Sequence, residues 1–277
     1  MGVFEKILKK TTGEWSFFLL TSKLFFKISV VLLVLIIVML LFRIVNYHTS
    51  LDMALLRLEM NAKLFLRDPQ ETDLGRKIID QSIRMIDEFG LEAFTFKKLS
   101  IAIDSTEASI YRYFENKHKL LVYLIAWYWN WLEYRIDFET HNVKSPEDRL
   151  AIALRLITEQ KSYDLSFPSV DESALQRIIT NESDKTYLTK QVDSDNREGL
   201  FRGFKTICKR IADMIKEINP SYQYAHALVS TALQSAHQQV FFAEHLPSLT
   251  EHDPGRGDIY QQNYVFLLEL IQKAIRE

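Results

Sequence analysis

The sequence predicts an all-α protein in three parts. These are an N-terminal extension with a candidate transmembrane helix, a small three-helix unit with helix-turn-helix spacing, and a larger helical domain. Three observations predict it. From residue 61 onward apolar residues recur at helical spacing and no run alternates as a strand would. Eight Gly and six Pro in 277 residues leave few turn clusters, which excludes collagen-like and loop-dominated architectures. Residues 28–42, ISVVLLVLIIVMLLF, carry no charge.

Composition narrows the class further. Hydrophobic residues at 47% and charged residues at 25% are globular values and exclude a disordered chain. The lone Cys208 excludes an internal disulfide scaffold and a zinc site built on cysteine pairs. A net charge of -2 argues against wholesale coating of nucleic acid, while leaving room for a small local basic surface.

Residues 1–59 read as the extension. As a helix the uncharged run is about 22 Å long, short of the roughly 30 Å hydrocarbon core. Counted from Leu24 to Val45 it reaches about 33 Å, with Lys27 and Arg43 near its ends where their stems can snorkel. Segment 24–45 is therefore a candidate transmembrane helix and membrane anchor. Arg43-Ile44-Val45-Asn46-Tyr47 is a poor cleavage site, so a cleaved signal peptide fits less well. Lys6, Lys9, Lys10, Lys23 and Lys27 precede the run. Arg43, Arg57, Lys63 and Arg67 follow it, interleaved with Asp52 and Glu59. This balance mildly favours an N-terminus inside, which would place the rest of the chain outside. A second reading stays open: translation from Met53 or Met60 gives a working chain without the segment, self-contained from Asn61 onward.

The helices follow in order. Leu74, Ile78, Met85, Ile86 and Phe89 share a helical face, and Gly90 is its stop. A short helix fits Phe96 to Ile103. Asp104-Ser105-Thr106 is a turn, and Thr106 caps a helix running through Phe114. Asn116 caps the next, with Leu120, Leu124, Trp127, Trp131, Tyr134 and Phe138 on one stripe. Ser145-Pro146-Glu147-Asp148 starts another, with a cap, a proline in the first turn and acids on the helix dipole. Later helices fit 170–181, 194–218, 222–244 and 258–276. Asn219-Pro220, His245-Leu246-Pro247 and Asp253-Pro254-Gly255 lie at their breaks.

Residues 75–121 are the informative stretch. Three helices around two tight turns are helix-turn-helix geometry: one helix crosses a phosphate backbone and the next enters the major groove N-terminus first. Small polar residues at that N-terminus reach base edges, and aromatic or basic residues beyond it reach phosphates. Across 93–121, Lys97, Lys98, Arg112, Lys117 and Lys119 face Asp104, Glu107 and Glu115, a slight basic bias.

Gly90, Phe94-Thr95-Phe96, Leu99, Thr106-Glu107-Ala108 and above all Ser109-Ile110-Tyr111-Arg112-Tyr113-Phe114-Glu115-Asn116-Lys117 closely resemble the TetR family of bacterial regulators. The motif covers about 50 residues and the helical pattern covers 61–277. Two departures stand out: Ser100 where the family usually has Ala, and Asp104-Ser105 where it has a Gly-Val pair. Asp tolerates the turn conformation that Gly normally fills.

The resemblance implies a DNA-binding unit over 61–121, a ligand-binding and dimerisation domain over 122–277, and a homodimer on double-stranded DNA with paired half-sites. It assigns Thr95 to cap the second helix and Lys97 and Lys98 to the backbone. Thr106, Glu107 and Ser109 face bases, and Tyr111, Arg112, Tyr113 and Lys117 contact phosphates. Phe114 and Ile110 belong to the core. Packing is the alternative role for Tyr111 or Tyr113, and dipole stabilisation the alternative for Glu107.

Two features of the larger domain fit this scheme. Segment 222–244 carries the small residues Ala225, Ala227, Ser230, Thr231, Ala232, Ser235 and Ala236, which permit close helix approach between protomers. Segment 258–276 presents Tyr264, Phe266, Leu267, Leu268, Leu270 and Ile271, a face a monomer covers poorly. Trp127, Trp131 and Tyr134 are candidates for the pocket of an unidentified small-molecule effector, with a plain aromatic core as the alternative.

No cofactor or metal is expected. Glu115-Asn116-Lys117-His118 lacks the second copy a di-iron bundle needs, and His226 and His237 lie about 16 Å apart along one helix. No H-E-x-x-H, G-x-S-x-G, Walker A or G-x-G-x-x-G occurs, so an enzyme is not the reading. Cys208 reads as packing, with Lys205 and Lys209 nearby keeping a redox role open. The resemblance therefore implies a ligand-responsive regulator of repressor type with its DNA-binding unit in the cytoplasm, either free or, if the N-terminal helix runs with its N-terminus outside, tethered to the inner membrane. A membrane-anchored sensor or interaction protein is the alternative.

Overall fold

The computed structural model describes Met39, residues 57–164, 166, 167 and 170–276. The chain divides into residues 1–55 and 56–277. Apart from Met39, the candidate transmembrane segment 24–45 lies outside the described residues. Among those described, no helix is long and apolar enough to cross a membrane.

Residues 57–276 fold into eleven α-helices, with no strand among the described residues. They are α1 (Asp73–Ala93), α2 (Phe96–Ala102), α3 (Glu107–Tyr111), α4 (Lys117–Thr140), α5 (Pro146–Thr158) and α6 (Glu172–Glu182). After these come α7 (Asp184–Tyr187), α8 (Val192–Arg197), α9 (Arg202–Ile218), α10 (Ala225–His245) and α11 (Ile259–Arg276). Single turns of 3-10 helix flank them, at Ala62–Leu64 and Pro69–Glu71 before α1.

The predicted caps form as side-chain chemistry requires. Asn116 Oδ1 accepts from the Lys119 N–H at 2.9 Å, and Ser145 Oγ accepts from the Asp148 N–H at 3.1 Å. The predicted helix over 194–218 is instead two, α8 and α9, because Gly199 at φ +78° breaks the ladder. The third predicted helix also closes early, at Tyr111 rather than Phe114.

Helix α4 is the axis of residues 57–276. Every residue from Leu120 to Trp129 is buried, so it is enclosed on all sides, not along one stripe. Helices α5, α6 and α9 surround it, and its first turns pack against α1. Tyr134 and Phe138, predicted on the stripe, lie where the helix emerges and are 36% and 73% exposed. Because α4 is continuous across residues 121 and 122, it belongs to both predicted domains.

The folded unit begins before Asn61. Leu58, Met60 and Leu64 enter the core, and Gln70 Nε2 donates to the Leu58 carbonyl at 3.0 Å. Arg57 pairs with Asp68 at 2.5 Å and Glu71 at 3.2 Å. Asn61 Nδ2 donates to the Glu198 carbonyl at 2.8 Å, tying this arm to the bend after α8.

Candidate nucleic-acid interface

Helix α1 starts at the Thr72 cap, whose Oγ1 accepts from the Gly75 N–H at 3.0 Å. Its helical conformation ends at Gly90, with φ +77° and ψ 165°. Thr95 then caps α2 as predicted, Oγ1 accepting from the Lys98 N–H at 3.2 Å. Helix α2 closes in a left-handed turn. Asp104 takes φ +50°, the Ser105 N–H donates to the Ser100 carbonyl at 2.8 Å, and the Asp104 N–H donates to that of Ile101 at 3.3 Å. This bond pair is a Schellman closure, with aspartate in the position glycine usually takes. Thr106 caps α3, accepting from the Ser109 N–H at 3.2 Å. Phe94, Leu99, Ile110 and Phe114 are fully buried and hold α2 and α3 against α1 and α4. Two short helices joined by a tight turn are thus fixed on a longer support.

The predicted contact residues fall into two groups. Thr95, Lys97, Lys98, Thr106, Glu107, Tyr111 and Arg112 are exposed on α2, α3 and their junctions, and Ser109 is half-buried. Thr106 Oγ1 and Ser109 Oγ lie 2.9 Å apart, a hydrogen bond that sets the Ser109 rotamer at the start of α3. Tyr111 is 48% exposed and its ring meets Phe96 edge-on at 5.1 Å, so it combines packing with an open face. Lys97 and Arg112 have no ion pair or hydrogen bond at their charged ends among the described residues.

Tyr113 and Lys117 face inward. Tyr113 is 2% exposed, its hydroxyl lies 2.7 Å from Thr72 Oγ1, and its carbonyl accepts from the Leu66 N–H at 2.8 Å. It has the packing role that was its alternative. Lys117 donates to the carbonyls of Leu91 at 3.0 Å and of Glu92 and Phe94 at 3.4 Å. Lys98 Nζ donates to the Ala93 carbonyl at 2.8 Å. Carbonyls at the end of a helix lack intrahelical partners and carry the negative end of its dipole, so they attract both ammonium groups. Motif position cannot show this, because the competing acceptors come from a bend 23–26 residues away in sequence from Lys117.

In the larger domain, Trp127 and Trp131 are 2% and 1% exposed and stack in the core, with Trp131 Nε1 donating to Asp164 at 3.4 Å. A small cleft of about 40 Å³ lies elsewhere around α4, lined by Trp129, Ile179, Thr180, Tyr187, Phe204 and His237. Tyr134 instead lines a cleft beside the arm, with Arg57, Asn130 and Arg202. Trp129 Nε1 donates to the Tyr187 hydroxyl at 3.1 Å. Burial, and secondarily the Lys161 charge, pushes the His237 imidazole down to about 3, and its Nε2 has no hydrogen-bond partner. Sequence reasoning missed this group because it converges from α4, α6, α7, α9 and α10. Burial also raises the Cys208 thiol above its ordinary range, which favours the packing role over thiolate chemistry.

Residues 78–124 match the family described as bacterial regulatory proteins, tetR family. No curated protein sequence matches the chain. Solved structures that are similar include the following three. The fatty acid degradation regulator FadR from Bacillus halodurans is 16% identical, with 69% of this chain and 93% of that one covered and a TM-score of 0.49. AibR, in complex with isovaleryl coenzyme A and operator DNA, is 16% identical over 70% and 97%, with a TM-score of 0.48. The superantigen PfiT is 13% identical over 72% and 92%, with a TM-score of 0.45.

Proposed function

With residues 78–124 matching the family of bacterial regulatory proteins, tetR family, we propose that the chain is a DNA-binding transcriptional regulator. The observation that carries this reading is the exposed edge of α2 and α3. The Asp104 turn and the Thr106 cap fix a short helix whose N-terminal Thr106, Glu107 and Ser109 face outward beside the open cations of Lys97 and Arg112. These are polar groups for base edges and charges for phosphates. Ile101, 73% exposed on α2, and Ala108 on α3 add apolar groups suited to thymine methyls.

The working unit is a homodimer. Supporting this, Ala227 and Thr231 on α10 and Val265, Phe266 and Leu270 on α11 are exposed, while Ala225, Ala232, Ala236, Leu267 and Ile271 turn inward to the core. An outward apolar face on the last two helices suits a two-fold partner, and a dimer sets two α3 helices about one DNA turn apart. A small-molecule effector bound in the larger domain shifts the equilibrium between DNA-binding and released states. The DNA-binding unit acts in the cytoplasm, and segment 24–45 tethers it to the membrane if translation begins at Met1.

Selection from a random duplex pool on the full-length chain tests the reading. Enrichment of sites with two inverted half-sites supports it. A chain that enriches no duplex, while folded and helical, overturns it.

A further inference from the structure

We propose that Glu182 is a positioning residue for the DNA-binding unit: its carboxylate holds the Leu91 amide and so fixes how α2 and α3 leave α1. The inference rests on the DNA-binding reading. Helix α6 packs along α1, and Arg177 grips Asp87 through two hydrogen bonds of 2.8 and 2.6 Å. One turn later Glu182, 7% exposed, reaches the bend at Gly90. The non-helical backbone there takes the Leu91 N–H out of the helical ladder. That group is buried, and a buried N–H without an acceptor is costly. Glu182 Oε1 supplies the acceptor at 3.1 Å, from 91 residues away in sequence.

Gly90 is needed twice over. Its φ of +77° disfavours a side chain, and a Cβ there would lie 3.2 Å from Glu182 Oε1. The Leu91 carbonyl is held in turn by Lys117 at the start of α4. Both polar groups of Leu91 are therefore clamped, the N–H by α6 and the carbonyl by α4, four residues ahead of the Thr95 cap of α2. Lys185 Nζ lies 2.6 Å from Glu182 Oε2 and orients the carboxylate.

The same stretch of chain lines the cleft. Ile179, Thr180, Ser183, Asp184 and Tyr187 face it from α6, α7 and their junction, on either side of Glu182 in sequence. A shift of α6 along α1 moves the acceptor under Leu91. A displacement of about half an ångström already takes the bond beyond normal hydrogen-bond length. Glu182 is thus where a shift of α6 reaches the unit that carries α3.

The test uses the full-length chain with Glu182→Ala and Glu182→Gln, reading amide hydrogen exchange residue by residue and affinity for a duplex selected on the parent. Glutamine keeps an oxygen acceptor for the Leu91 N–H, and alanine removes it. The expected result is exchange at Leu91 at least about tenfold faster in Glu182→Ala, DNA affinity about tenfold weaker, and both near parental in Glu182→Gln. Arg177→Ala, which cuts the neighbouring ion pair, leaves Leu91 exchange unchanged. If Glu182→Ala does not fold, Glu182→Asp, one methylene shorter, makes the same comparison. Faster exchange throughout the chain, parental DNA affinity despite a freed Leu91 amide, or failure of glutamine to restore the parental values overturns the proposal. Should the parent select no duplex, the DNA-binding reading fails by itself, and exchange at Leu91 still decides whether the carboxylate holds the bend.

Discussion

Replacing Lys117 by methionine separates two physical roles for one cation. If its charge lies on a phosphate, the substitution weakens DNA binding and leaves the free protein unchanged. The structure instead places Nζ 3.0 Å from the Leu91 carbonyl, with those of Glu92 and Phe94 at 3.4 Å, at the end of α1. Methionine keeps much of the apolar stem and removes the donor. One charged hydrogen bond and its share of the helix-dipole attraction are together worth about 2 kcal/mol. In a domain of this size each 1 kcal/mol moves the melting temperature by roughly 2–4 °C, so the expected loss is about 4–8 °C. The assay is a thermal melt by circular dichroism of parent and Lys117→Met without DNA, followed by duplex binding across salt concentrations. The salt dependence should keep the parental slope, because no phosphate contact has been removed. An unchanged melting temperature together with a slope smaller in magnitude by about two, one Lys117 per half-site, would return Lys117 to the phosphates.

Three further outcomes are expected. A chain beginning at Met60 lacks Arg57, Leu58 and Glu59, and with them a buried side chain and the acceptor for Gln70. Chemical denaturation should show it less stable than one beginning at Met53 by about 2–3 kcal/mol, mostly from Leu58, since half-exposed ion pairs such as those of Arg57 contribute little. Burial raises the Glu172 carboxyl to about 7, so the folded chain binds a proton there that the unfolded chain releases between pH about 4.5 and about 7. This group's contribution is full below that window and lost as pH rises through it. Glu172→Gln should lack that decline in melts across the window, and parallel curves for parent and variant would contradict the assignment. Ser109→Ala should alter base preference at one position of the selected site, leaving affinity for unrelated duplexes unchanged in a binding competition.

Much of the helix-turn-helix was legible because its determinants are local. A cap needs only a short polar side chain two or three residues before its N–H, so Thr95, Thr106, Asn116 and Ser145 could be read from the sequence. The same holds for the left-handed positions of Gly90 and Asp104. What escaped depends on distant chain. Tyr113 looked available until Thr72 and Leu66 were found against it. Lys98 and Lys117 looked free until the bend after Phe89 supplied carbonyl acceptors. In α4, Trp127, Trp129 and Trp131 all read as aromatic, and only the packing around a fully enclosed helix shows that Trp129 alone of the three lines the cleft between α6, α9 and α10. Gly199 is a local signal of the same kind. A positive φ there divides α8 from α9 where the polar stretch Asp193–Glu198 ends, with Gly203 four residues on.

Helices α2 and α3 are proposed to bind duplex DNA through Arg112 and its neighbours. The most direct measurement is fluorescence anisotropy of a selected duplex titrated with the full-length chain at several salt concentrations, for parent and Arg112→Ala. With one Arg112 per half-site, the slope of log affinity against log salt should fall in magnitude by about two for a dimer, with affinity reduced on every sequence tested. Parental affinity and slope for Arg112→Ala at all salt concentrations would contradict the account.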